Sequence, residues 1–167
     1  MAFALKYPDL LSSLIVVDIA PRNYPVHHDR ILEGLKAIQP SELTSRIDAD
    51  DALAKYVPEP DVRQFLLKNL QRDANNQFSW KLNVKALDEN IELIGQGEPY
   101  KGTFEKETLF VRGIKSHYIE DGDRARIKQL FPHSTLVTME TGHWVQAEKP
   151  EEFVSVVKTF LHEKVNL

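Results

Sequence analysis

With 167 residues, 42% of them hydrophobic and 28% charged, the chain is long enough for one domain with a substantial core and an excursion from it, and too short for two large domains. Its formal net charge of -4, with both signs interspersed, provides no broad basic face, which argues against nucleic acid and anionic membrane surfaces as partners. Cysteine is absent, which removes disulfides, thiolate metal sites and cysteine nucleophiles. The six histidines (His27, His28, His117, His133, His143 and His162) show no His-Glu-x-x-His spacing, so no metal is expected.

Met1 to Tyr7 reads as the second half of a helix: no capping residue precedes it and Pro8 forbids its continuation, so the chain is expected to be a piece of a longer one. Leu14-Ile15-Val16-Val17 comes next, an apolar run rich in β-branched residues, as in a parallel-sheet strand buried on both faces. Asp18 ends that run. A carboxylate there must be solvated, capped or paired, because burying it alone costs on the order of several kcal/mol. A turn or cap aspartate ahead of Ala20-Pro21 is the competing reading.

From Arg22 to about Gly97 the texture changes to helices and breakers. Ile31, Leu32, Leu35 and Ile38 share a helical stripe closed by Pro40-Ser41, and Ser41 with Thr44, or Asp48, offers caps for the next short helices. Val62, Phe65, Leu66 and Leu70 repeat the stripe after Pro58 and Pro60, and Leu87, Ile91 and Ile94 repeat it after Trp80. With no strand signal in between, this block reads as an inserted helical lid whose apolar face would roof a pocket. Phe65, Phe78 and Trp80 are either the core of that lid or part of the pocket wall.

Gly95 to Pro99 then returns the chain to a strand at Thr108–Gly113. Next come a loop from Ile114 to Gly122, a helix through Ile127, Leu130 and Phe131, and a strand at Thr135 to Val137. The last helix opens with Pro150 at its first position and Glu151 and Glu152 in its first turn, and its stripe is Phe153, Val156, Val157, Phe160 and Leu161. Strands alternating with helices predict an α/β layered domain with parallel strands: core 1–21, helical insert 22–97, core 98–167.

His143 lies in Thr138-Met139-Glu140-Thr141-Gly142-His143-Trp144-Val145, just past the end of the last strand, where open α/β sheets place their sites. Gly142 permits a sharp turn and Trp144 can pack beneath the loop to hold the imidazole. A lone Gly-His pair is unspecific, and a loop histidine with no task is the bland alternative. The order of elements adds weight, since Asp18 and His143 fall at the C-terminal ends of two strands of one sheet.

Several stretches together resemble the small cap-bearing esterases of the α/β-hydrolase fold. They are Ala4-Leu5-Lys6-Tyr7-Pro8, Val17-Asp18-Ile19-Ala20-Pro21, Arg63-Gln64-Phe65-Leu66-Leu67-Lys68-Asn69-Leu70, Phe78-Ser79-Trp80-Lys81-Leu82-Asn83, Leu109-Phe110-Val111-Arg112-Gly113 and Gly142-His143-Trp144. The resemblance spans almost the whole chain and implies the C-terminal portion of that fold: acid, cap, strand, helix, strand, histidine, final helix. By position it implies that His143 is the general base of a Ser-His-Asp triad and Asp18 the acid that orients it, with Glu120 or Asp121 as the alternative acid. In many such proteins the acid follows the next strand, where this chain carries Ser116. Trp144, Phe65 and Trp80 become candidates for contact with a small acyl ester or thioester, and no cofactor or metal is implied.

The Gly-x-Ser-x-Gly elbow of that fold does not occur in these residues, and Ser12 and Ser13 lack the flanking glycines it requires. The chain alone is therefore expected to be inert. Two other readings compete: a non-catalytic module holding a ligand or partner in a cap-covered apolar cleft, and a piece that works only when an N-terminal fragment joins it. The strand at 14–19, apolar and without proline or lysine, is expected to be left open at one edge and to promote self-association. No segment has the length of a membrane span or the pattern of a signal peptide. The compartment stays open between cytoplasmic for a bacterial protein and mitochondrial for a eukaryotic one.

Overall fold

In the computed structural model, which describes residues 1–24, 29–95 and 100–165, the chain divides into two compact units. One is discontinuous, Met1–Arg22 with Gly97–Leu167, and the other is the intervening Asn23–Gln96.

The discontinuous unit is built on three parallel strands, β1 (Leu14–Val17), β4 (Thr108–Gly113) and β5 (Ser134–Met139), in the order β1-β4-β5. Register pairs Val17 with Val111 and Gly113 with Met139. Alternation along each strand divides the side chains between two apolar layers. On one face Val16, Phe110 and Leu136 pack with Ala4 of α1 (Ala2–Lys6), with Ile127 and Leu130 of α6 (Arg124–Leu130), and with Phe104 and Phe131. The rings of Phe104 and Phe110 meet Phe131 edge-on, 6.3 and 5.5 Å between centroids. On the other face Ile15, Val17, Leu109, Val111, Val137 and Met139 pack against Phe153, Val156, Val157 and Phe160 of α8 (Pro150–Phe160). This is the helix–sheet–helix layering the alternation of elements predicts, and α8 begins with Pro150, Glu151 and Glu152 in its first turn.

Two boundaries differ from expectation. The first strand stops at Val17, because Asp18 takes a left-handed backbone conformation (φ 48°), so the expected 14–19 strand is a four-residue one and Ile19 lies outside it, exposed. A short helix, α7 (Val145–Glu148), stands between the histidine loop and α8 and has no counterpart in the apolar periodicity.

The second unit has its own core of Leu35, Ile38, Ala49, Leu53, Leu67, Leu70 and Phe78. Its helices are α2 (Asp29–Ala37), α3 (Arg46–Ala54), α4 (Pro60–Leu67) and α5 (Val84–Gly95). It is not all helical, which corrects the expectation of an insert without strands: β2 (Leu70–Arg72) and β3 (Phe78–Trp80) form an antiparallel hairpin. The Asp73–Gln77 turn makes it. Asp73 Oδ1 accepts from the amides of Asn75 and Gln77, both at 2.9 Å, and Asn76 adopts φ 64°, a conformation asparagine tolerates. Leu70, expected on the α4 stripe, is thus the first residue of β2 and fully buried. Ile94, expected on the α5 stripe, is exposed. The positions of His27 and His28, and of Gln96 to Pro99 in the returning segment, lie outside the described residues.

The cap on α3 is Ser45 rather than Ser41. Ser45 Oγ accepts from the Asp48 amide and Asp48 Oδ2 accepts from the amides of Thr44 and Ser45 and from the Thr44 hydroxyl. These donors, the Thr44 and Ser45 side chains foremost, hold the Asp48 carboxyl at a pKa of about 2 against an ordinary 3.8. A depressed carboxyl pKa supports the fold above the unfolded value and withdraws that support as pH falls through the folded one. Circular dichroism melts of the wild type should therefore lose stability between pH 3.8 and about 2 more steeply than those of Asp48→Asn, which lacks this titration.

Candidate active site

The site develops where β1 and β4 end and the chain leaves β5. Asp18 follows β1 and is fully buried, its amide donating to the Val111 carbonyl at 2.7 Å. The left-handed turn at this residue, a conformation aspartate tolerates better than most, points its carboxylate along the strand ends. Two donors meet it there. The Gly113 amide, at the end of β4, donates to Oδ1 at 2.9 Å, and His143 Nδ1 lies 2.9 Å from Oδ2. The carboxylate is thereby satisfied away from water, and with Nδ1 as donor the imidazole's other nitrogen, Nε2, is its basic one.

His143 is held from several sides. Its side chain is 46% exposed, and one ring face is stacked by Tyr118, with centroids 4.1 Å apart and planes inclined by 26°. The loop that carries it is fixed by Glu148, whose two carboxylate oxygens accept from the Gly142 amide at 3.1 and 2.9 Å. The Lys115 amide donates to the Thr141 carbonyl at 3.0 Å, and the Ile114 amide to the Met139 carbonyl at 2.9 Å, which ties the loop after β4 to the loop after β5. Thr141 is fully buried between them.

The residues singled out from sequence thus fall in different places. Asp18 and His143 are brought together. Ser116 is buried but its Oγ accepts from the Tyr118 amide at 3.2 Å, a local turn. Glu120 caps the turn before α6, and Asp121 is engaged by Arg112 at 2.8 Å and Arg124 at 3.2 Å, which lower its pKa. Ser12 and Ser13 precede β1, at the end of the strand opposite to Asp18. Trp144 is half-buried and its carbonyl receives the amides of Ala147 and Glu148 that start α7. Phe65 lies exposed on α4 in the second unit, and Trp80 packs against that unit's core. Among the described residues no group of three or more His, Asp or Glu side chains converges as metal ligands would.

Sequence reasoning missed Gly113 as a donor, Tyr118 and Glu148. Gly113 alone left a readable trace, a glycine closing an apolar strand; an aromatic in the middle of a loop and a glutamate in a polar stretch left none.

Comparison with known proteins gives the chain's relatives. A marine microorganism esterase superposes with a TM-score of 0.88 and 35% identity over 95% of this chain and 64% of its own. The chain is 36% identical to the sn-1-specific diacylglycerol lipase ABHD11 of Danio rerio, over 96% of its length and 53% of that protein's. The chain belongs to the α/β-hydrolase family. It holds the C-terminal portion of that fold, with the second unit inserted between β1 and β4. A putative esterase/lipase of Haemophilus influenzae is 34% identical over 93% of the chain and 53% of its own length. The chain thus spans about half the length of the curated relatives it matches. No family model matches it.

Gly113 shows how closely the loops after β4 and β5 pack. A Cβ there would stand 2.0 Å from the Gly142 carbonyl oxygen and 2.9 Å from that of Thr141. Gly113→Ala must push the histidine loop away, and is expected to cost about 1–3 kcal/mol as overpacking. Urea unfolding measures that cost, and loss of the Asp18–His143 hydrogen bond in the folded variant would show as faster exchange of the imidazole N–H.

Proposed function

We propose that the chain provides the base and the acid of a Ser-His-Asp acyl hydrolase acting on a carboxylic ester or thioester. The observation that carries this is the 2.9 Å contact of His143 Nδ1 with a fully buried Asp18 at the C-terminal ends of parallel strands. The order acid before histidine is that of the fold, and the names of the relatives, esterase and diacylglycerol lipase, support an acyl ester as the substrate class.

In this reading a serine hydroxyl attacks the acyl carbonyl as His143 Nε2 takes its proton. Asp18 holds the imidazole in the tautomer with hydrogen on Nδ1 and stabilises the imidazolium that forms. Nε2 then gives the proton to the departing alkoxide or thiolate, leaving an acyl-enzyme. A water deprotonated by the same nitrogen attacks the acyl-enzyme, releasing the carboxylic acid and restoring the serine. The serine and the oxyanion donors of this scheme come from residues other than these 167, in which no Gly-x-Ser-x-Gly occurs.

Two outcomes test the assignment. The chain alone should hydrolyse an aryl ester no faster than its His143→Ala control, and a fluorophosphonate should label neither Ser12 nor Ser13. In a longer polypeptide that carries the serine, His143→Ala should lower kcat by several orders of magnitude, because a triad acts as a unit. Retained turnover there removes His143 from the chemistry.

We propose further that β1 is an adhesive edge of the isolated chain. Leu14 and Asp18 donate inward to the carbonyls of Glu107 and Val111, so alternation turns the backbone groups of Ile15 and Val17 outward, on a strand without charge or proline. Sedimentation should show association that rises with concentration, and Ile15→Lys should weaken it. A concentration-independent monomer would refute this edge.

A further inference from the structure

We propose that Tyr118 is a positioning residue for His143, holding the imidazole plane so that Nδ1 faces Asp18 while Nε2 stays presented on the opposite side. The inference rests on the reading of His143 as a general base and adds to it a residue outside the acid–base pair.

The torsion that turns an imidazole about its Cβ–Cγ bond is broad and roughly two-fold, so the backbone alone does not choose which nitrogen meets the carboxylate. A hydrogen bond at Nδ1 fixes one atom of the ring and leaves its plane free to rock. A second ring lying over the face removes that freedom. Tyr118 provides it at 4.1 Å between centroids and 26° between planes, close to a parallel stack. The same face gains attraction when His143 becomes imidazolium, because the negative face of the phenol ring favours a cation over it.

The loop bearing Tyr118 is built to hold that ring in place. The Ser116 amide donates to the Gly113 carbonyl at 3.1 Å, and Ser116 Oγ accepts from the Tyr118 amide at 3.2 Å. Arg22 reaches the His117 carbonyl at 2.8 Å and pairs with Asp123 at 3.3 Å. On the far side Ile119 is fully buried in the core against the sheet. Tyr118 is thus bracketed by His117, whose carbonyl is hydrogen-bonded, and by the fully buried Ile119.

The test combines spectroscopy of this chain with activity of a longer polypeptide that carries the serine. In the wild-type chain, cross-relaxation between the ring protons of Tyr118 and His143, with His143 ring protons shifted upfield, is expected; its absence overturns the proposal without any variant. The Nδ1–H resonance should exchange with water about three- to tenfold faster in Tyr118→Leu and stay at the wild-type rate in Tyr118→Phe, the factor that ring stacking is worth. In the longer polypeptide Tyr118→Leu should lower kcat by the same factor with KM unchanged, and Tyr118→Phe should restore it. Equal exchange in Leu and wild type, or a Phe variant that behaves as Leu, overturns the stacking role. Should His143→Ala leave hydrolysis intact while the Nδ1–H results hold, the base assignment fails and the positioning of the ring by Tyr118 stands.

Discussion

A carboxylate with no access to water constrains the whole discontinuous unit. Asp18 cannot remain charged in that place without donors, and an unpaired buried charge costs more than a domain of this size can absorb. Its donors come from two other segments, the Gly113 amide at the end of β4 and the imidazole of His143 beyond β5. Three chain segments distant in sequence must therefore finish at the same level. The parallel register does this, pairing Val17 with Val111 and Gly113 with Met139, so that each strand delivers its next residues to one edge.

Rigidity of that edge comes from the layers beneath it. Apolar side chains of alternating strand positions are covered by α1 and α6 on one face and by α8 on the other, which holds the strand ends against sliding. The loops then lock to each other rather than to solvent. Backbone bonds from Ile114 and Lys115 reach Met139 and Thr141, and Gly113 lets the Gly142 carbonyl approach to a distance no side chain would permit. Loops fastened in this way can carry functional groups with the precision of strands while keeping half of the His143 side chain in solvent.

The inserted unit obeys a separate logic. Its core, its Ser45–Asp48 capping box and its Asp73 turn are all made from its own residues, and none of them uses Asp18 or His143. Independence of that kind permits a long insertion between neighbouring strands of a sheet, since the sheet closes its β1–β4 pairing with the insert's own folding cost met locally. It also separates the candidate contacts: Asp18, His143 and Trp144 belong to one unit, and Phe65 and Trp80 to the other.

The layered α/β architecture, the strand ending at an acid, the Pro150 start of α8 and the candidacy of Asp18 and His143 were legible from the amino-acid order, because hydrophobic period and helix-start chemistry are local properties. The hairpin at Leu70–Arg72 and Phe78–Trp80 was not, because three-residue strands are too short to display a period and only the asparagine-rich turn between them marks the reversal. Nor could sequence nominate the partners of the site. Gly113 closes an apolar strand but donates through a backbone amide that no side chain announces, Glu148 acts on an amide six residues away, and Tyr118 reaches His143 across a gap of 25 positions, so neither of the last two leaves a periodic or compositional trace. What the sequence by itself determined was which residues were chemically able to form an acid–base pair. Only the tertiary structure decided that they meet and what holds them there, because a hydrogen bond between residues 18 and 143 depends on where strands end in space and not on spacing along the chain.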